Sequence, residues 1–169
     1  MTIDAAALLT LIEAELATLS DSRIAAHIRT LLVMPVPVMR GWDYGRDGEQ
    51  YPCWTVLEHA ASNTGLAYCE HGFGPRSPWG LVFLKGDESQ TSIGMDCSWF
   101  TTFLQAFFES MAAKELPIWR VFSTDSAGRT QPISDEGGWD ETWSRVLTLR
   151  KSDSAHRYDC GNSIPYERE

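Results

Sequence analysis

YPCWTVLEHAASNTGLAYCEHGFGPRSPWGLVFLKGDESQTSIGMDCSWFTTFLQAFFES, residues Tyr51–Ser110, is the stretch whose reading decides the fold. Tyr51 to His59 is rich in aromatic and branched residues, ASNTG at 61–65 is a turn sequence, and Leu66 to Glu70 follows as a partner. Together they predict a β-hairpin. Gly72, Gly74, Pro75, Ser77 and Pro78 predict a longer loop before Trp79 to Leu84, a short apolar run of the kind found in central strands. Past the polar GDESQ, Thr91 to Met95 is expected as an edge strand. The stretch closes on Phe100, Phe103, Leu104, Phe107 and Phe108, which with Met111 just beyond it repeat at helical spacing. This predicts a long third helix, capped by Asp96 or Ser98, favoured by Lys114 at its C-terminal end and closed by Pro117.

Working outward toward the N-terminus, Ala5, Leu8, Leu9, Ile12, Leu16 and Leu19 fall on one helical stripe. Ser20, Asp21 and Ser22 can cap a second run that buries Ile24, Ile28, Leu31 and Leu32, so a helix pair is expected. His27 reads as a boundary histidine of that second helix. Pro35 and Pro37 lack backbone donors and are expected to turn the chain. Val38 to Tyr44 then reads as a first strand, and GRDGEQ as the polar turn of a hairpin ending near Leu57.

Toward the C-terminus, Ile118 to Ser123 reads as a strand, TDSAGRTQP as a turn centred on Gly128, and Trp143 to Leu149 as the last strand. From Lys151 onward the text is polar, and a docked or partly disordered tail is expected. The fold class is therefore α+β: an antiparallel β-meander sheet of about five to seven strands, packed on one face by the long amphipathic helix and an N-terminal helix pair. The expected organisation is one domain over 1–151 and a polar tail over 152–169.

The chain has 169 residues, 43% of them hydrophobic and 22% charged, and no window holds the roughly 20 apolar residues of a membrane span. MTIDAAALLTLIEAELATL carries Asp4, Glu13 and Glu15 and no early positive charge, so it fails as an export signal. A soluble cytoplasmic protein is expected, with Cys53, Cys69, Cys97 and Cys160 as free thiols. Net charge is -9, and the first 22 residues hold four acids and no base. Such a field repels nucleic acid and anionic membranes, and it steers a basic partner inward.

The sharpest chemical constellation is Cys53, His59, Cys69 and His71. In a regular hairpin these odd-numbered positions share one face, which permits a metal cluster or a cysteine nucleophile beside a histidine base. The C-x5-H-x9-C-x-H spacing lacks the two-residue clip of most zinc modules, and no oxyanion donor accompanies it, so neither a metal nor any other cofactor is assigned. Glu58 and Glu70, on the two strands of the same hairpin, are candidate paired carboxylates. GFGPRSPWG is glycine-rich but matches no phosphate-binding pattern. No catalytic residue is assigned.

Seven tryptophans are present, of which Trp54, Trp79 and Trp119 fall within predicted strands. Trp42 and Trp139 instead sit beside acids, in GWDYGRDGE and DEGGWDE. Rings flanked by carboxylates suit a partner-binding surface, the rings as anchors and the acids for steering; the alternative is that the rings cap the ends of the sheet. The candidate binding residues are Trp42, Asp43, Tyr44, Asp47, Glu49, Asp135, Glu136, Trp139, Asp140 and Glu141.

The motifs YPCWTVLEH, GFGPRSPWG and GMDCSWFTTFLQAFFES resemble those of a group of small, uncharacterised bacterial proteins. More loosely, the chain is similar to immunity proteins that accompany secreted antibacterial toxins, over roughly residues 40 to 112. The likeness is one of style (small, acidic, tryptophan-rich, α+β) and transfers no functional residue. It implies an inhibitor that binds and blocks a toxin, and composition is compatible with a basic protein partner. The rival expectations are a small hydrolase or metal-dependent enzyme using the Cys53, His59, Cys69 and His71 hairpin, and a small-ligand carrier with a pocket between sheet and third helix.

Overall fold

A computed structural model describes residues 3–42, 44–71, 74–86, 98–116, 118–135 and 137–162. The fold is α+β, as the sequence predicts. Where one domain was expected over 1–151, the chain forms two compact units, Met1–Ala113 and Lys114–Glu169, each with its own antiparallel sheet.

The first unit opens with α1 (Ala5–Leu16) and α2 (Ser22–Leu31), broken where the sequence places the caps. The Asp4 carboxylate accepts the Ala7 N–H at 2.8 Å, and the Asp21 carboxylate accepts the Arg23 N–H at 2.9 Å, satisfying donors that a helix start leaves orphaned. Leu8, Ile12 and Leu16 form the buried stripe of α1, and Ile24, Ala25 and Ile28 that of α2. His27 does sit at a boundary, with one ring nitrogen 3.3 Å from the Ala112 carbonyl oxygen and its ring edge-on to Phe107.

Five strands follow in the order β1-β2-β3-β4-β5: β1 (Leu32–Gly41), β2 (Gln50–His59), β3 (Thr64–Tyr68), β4 (Trp79–Phe83) and β5 (Trp99–Phe100). Pro35 and Pro37 lie inside β1 and do not turn the chain as expected. They are tolerated because β1 is an edge strand, where a missing donor breaks few ladder bonds. The irregular register between Leu32 and Val36 absorbs the first of them. Asn63, in the left-handed conformation at φ 57°, turns β2 into β3 after the short 3-10 turn Ala60–Ser62. The expected Thr91–Met95 strand lies outside the described residues.

The third helix is shorter than its periodicity predicts. Trp99 and Phe100 pair with Gly80 and Trp79 as β5, so α3 spans only Phe103–Glu109. Thr102, and not Ser98, is its N-cap, accepting the Gln105 N–H; Asp96 lies outside the described residues. The helix ends at Ser110, ahead of Met111, which is exposed, and of Lys114. The carboxylate of Glu15 on α1 accepts the N–H groups of Phe103 and Leu104 at 3.1 and 2.9 Å, which fastens α3 to α1.

One contact shows that this sheet coils. Arg40 pairs with Tyr51, while Phe83 pairs through Thr64 with His59, eight positions farther along β2. In a flat sheet these residues would stand roughly 25 Å apart along the strands. Yet Arg40 Nη2 donates to the Phe83 carbonyl at 3.0 Å. The sheet therefore curls so that the end of β1 meets the end of β4.

The second unit contains β6 (Trp119–Thr124), the strand expected near Ile118 to Ser123, flanked by β7 (Thr130–Pro132) and β8 (Arg157–Asn162) in the order β7-β6-β8. Trp143 to Leu149 is not the expected strand but part of the helix α4 (Trp139–Ser152). Thr142 and Val146 are buried at i, i+4 spacing; Asp140 and Glu141 occupy the first turn, and Arg150 and Lys151 the last, the charge order a helix dipole favours. Val121, Val146 and Tyr158 form the core of this unit, with Trp143, Leu149 and Cys160 packed against them. Part of the polar tail thus docks as β8.

Candidate functional site

The hairpin does not assemble the four-residue constellation, and the reason is one extra residue. Thr55 pairs with Ala67, but Leu57 pairs with Leu66, so Val56 is a bulge in β2. Because side chains alternate across a strand, one inserted residue exchanges the faces of everything beyond it. Cys53 and Cys69 share the face of Thr55 and Ala67, whereas His59, paired with Thr64, shares the opposite face with Leu57 and Leu66. His59 is buried there with Nδ1 2.6 Å from the Ser62 hydroxyl, which in turn lies 2.6 Å from the Thr64 hydroxyl. The His71 ring stacks on Tyr51 at 4.9 Å and 16°. Among the described residues, no group of three or more His, Cys, Asp or Glu side chains is arranged to hold a metal ion.

The carboxylate pair fails on distance. Glu58 pairs with Gly65, and Glu70 lies five residues beyond Gly65, a separation on the order of 15 Å along an extended chain. Glycosidase carboxylates stand at about 5 to 9.5 Å. The Glu70 carboxylate instead accepts the Tyr68 hydroxyl at 3.2 Å.

What the hairpin does assemble is a thiol pair. Cys53 and Cys69 are fully buried with Ala67, Val82 and Trp99, and Trp42 and Tyr51 pack against them. The thiols are in mutual hydrogen-bond contact, and the three described cysteines are free. That contact and burial push the Cys53 thiol up; the same contact, helped by the His71 backbone N–H, draws the Cys69 thiol down. Arg40 lies on the same face, diagonal to Cys53, and is 2% exposed. Its Nε and Nη1 have no hydrogen-bond partner among the described residues. Burial lowers the pKa of its guanidinium, and its charge favours a thiolate at Cys53. Sequence reasoning missed Arg40. The available signal was its place two residues after Val38 on the same strand face, a charge where that face calls for an apolar residue.

The acidic tryptophan loops divide between the two units and differ in kind. In the first, Trp42 is half-buried against the Cys53 cluster, so its ring covers the sheet, as the capping alternative had it. Tyr44 is exposed and edge-on to Trp42 at 5.9 Å. Glu49 accepts the Arg46 N–H, and Asp47 is exposed. Asp43 lies outside the described residues.

In the second unit Trp139 is 46% exposed and held from two sides. Trp119 meets it edge-on at 4.6 Å, and Trp143 stacks in parallel at 5.5 Å and 5°. Arg150 continues the row, its guanidinium 5.4 Å from the Trp143 ring centre. Donation to the Tyr158 carbonyl and the Asp159 carboxylate, each at 2.8 Å, fixes Arg150 in place. Asp140 and Glu141 follow Trp139 directly in the first helical turn, and all three are exposed, as is Asp135. Glu136 lies outside the described residues.

No family model, no curated protein and no solved structure matches this chain. No helix among the described residues is long and apolar enough to cross a membrane.

Proposed function

We propose that this chain is an acidic protein-binding inhibitor of the immunity-protein kind, which neutralises a basic toxin domain in the cytoplasm. The observation that carries the proposal is the exposed Trp139 ring, fixed between Trp119 and Trp143 and followed at once by Asp140 and Glu141. An exposed aromatic side chain held in place before binding loses little rotamer freedom on contact, so more of its burial becomes affinity. Adjacent carboxylates draw in Lys and Arg side chains and discriminate against acidic partners. The dipole of α4 also favours Asp140 and Glu141 where they stand. That local benefit accounts for neither the exposed ring nor the net charge of -9. Asp135 extends the patch, and Tyr44, Asp47 and Glu49 supply a further acidic contact region on the first unit.

The test is protection. Cells that produce the basic C-terminal domain of a secreted protein encoded beside this chain should survive when the chain is co-produced. Trp139→Ala combined with Asp140→Lys and Glu141→Lys should abolish that survival while leaving cooperative thermal unfolding of the chain intact. Undiminished protection by the triple variant would remove this surface from the proposal. A neighbourhood of metabolic genes alone would remove the toxin.

A further inference from the structure

We propose that Cys53 and Cys69 are a reversible dithiol–disulfide pair, oxidised within the folded chain by small peroxides and reset by low-molecular-weight thiols. The argument begins with register. Trp54 pairs with Tyr68 and Thr55 with Ala67, so the ladder continues outward to place Cys53 opposite Cys69. The Cys69 N–H donates to the Pro78 carbonyl at 2.8 Å, which turns its peptide edge toward β4 and away from β2. Opposite Cys53 it is therefore a non-hydrogen-bonded position, where facing Cα atoms stand about 4.5 Å apart. Disulfides span Cα separations of about 4.4 to 6.8 Å. Both side chains point to the inward face and touch, so closure needs rotation about their own bonds and no strand movement.

The surroundings favour a thiolate at this pair. Arg40 brings to this buried site a guanidinium whose Nε and Nη1 have no hydrogen-bond partner among the described residues, and the His71 N–H donates to Cys69. A buried cation with two unsatisfied nitrogens favours negative charge beside it. One of the two thiols ionises and attacks first, and the other keeps its proton until the second step. That thiolate attacks one peroxide oxygen, forming a sulfenic acid and releasing hydroxide, which takes up a proton to become water. The sulfur of the other cysteine then attacks the sulfenic sulfur, and its own proton leaves with the departing hydroxyl as a second water. Two thiols lose two electrons and one peroxide gains them. Reduction runs through exchange: one external thiolate opens the disulfide, and a second releases the mixed disulfide. Both sulfurs are fully buried, so the site selects an oxidant as small as hydrogen peroxide over bulky disulfides.

The experiment treats the folded full chain with hydrogen peroxide, then unfolds and alkylates it. The expected product has lost two hydrogens and carries two fewer alkyl groups. A glutamate-specific digest, which cuts at Glu58 between the two cysteines, should give peptides joined through Cys53 and Cys69 until a thiol is added. At least one of the variants Cys53→Ser and Cys69→Ser should leave the remaining cysteine of the pair as a sulfenic acid that dimedone captures. Arg40→Lys should still oxidise. Arg40→Met should oxidise on the order of tenfold more slowly for each pKa unit by which the thiol rises; if that variant does not fold, the two cysteine variants decide the matter. The proposal is overturned by full alkylation after peroxide treatment, by a disulfide that instead uses Cys97 or Cys160, or by a Cys53–Cys69 bond that forms only in unfolding urea. Dimedone on neither single variant would overturn it too.

Discussion

Glu15 offers the sharpest test of the first unit. At seven residues α3 is far shorter than the roughly 12 to 15 residues at which isolated helices become even marginal in water, so its first turn must be held from outside. Glu15 does this by accepting the Phe103 and Leu104 N–H groups at 3.1 and 2.9 Å, while Thr102 accepts the Gln105 N–H. Removing one helix cap costs about 0.5 to 2 kcal/mol, and one hydrogen bond to a charged group about 1.5 to 3 kcal/mol. Because water reaches part of this half-buried site, Glu15→Ala is expected near the middle, about 2 kcal/mol. That corresponds to a fall in Tm of roughly 4 to 8 °C for a chain of this size. Glu15→Gln keeps one acceptor but turns an amide toward the second N–H, and should lose a comparable amount. The assay is thermal unfolding followed by far-UV circular dichroism, with Glu13→Ala as the control. Glu13 pairs with Arg29 at 2.7 Å while half exposed, and such surface pairs contribute little. A Glu15→Ala Tm within about 1 °C of the parent, or equal to that of Glu13→Ala, would refute the claim that this carboxylate anchors α3.

Other expectations follow from single contacts. A Cβ at Gly80 would lie 2.5 Å from the Trp99 ring, so Gly80→Ala overpacks a buried cluster and should cost about 1 to 3 kcal/mol; an unchanged urea midpoint would contradict it. The Asp153 carboxyl is held at about 2, below its ordinary 3.8, by the Tyr158 hydroxyl first, then the Ala155 N–H and His156. A depressed folded-state value means stability present above about pH 4 and lost as pH falls through about 2, so Asp153→Asn should flatten the acid limb of stability against pH; an acid limb unchanged in the variant would contradict this. Trp139→Ala should remove the far-UV exciton signal of the Trp119, Trp139 and Trp143 row while changing Tm little, as Trp139 is nearly half exposed; a persisting signal would mean that another ring pair produces it.

Much of the architecture was legible because it depends on local chemistry. Asp21 announces a helix start, the Asn63 turn announces a hairpin, and the apolar run from Trp79 announces a central strand. Each signal is carried by a few consecutive residues whose backbone preferences do not wait for the rest of the chain. Misreadings arose where two local patterns competed. Phe100 fits the helical stripe of Phe103 and Phe107, but pairing across to Trp79 held it in β5. The segment Trp143 to Leu149 alternates like a strand but buries Thr142 and Val146 at helical spacing.

The sequence by itself determined the α+β class, the helix pair, the central hairpin and the acidic, tryptophan-rich character. Only the tertiary structure decided which side chains meet. The bulge at Val56 sends His59 away from Cys53 and Cys69, coiling of the sheet carries Arg40 to Phe83, and the turn into α4 stacks Trp139 on Trp143. The physical reason is that alternation and periodicity specify a face only relative to neighbouring residues. One inserted residue or one curled edge reverses or relocates that face, and its cause lies in strands and helices distant in the chain.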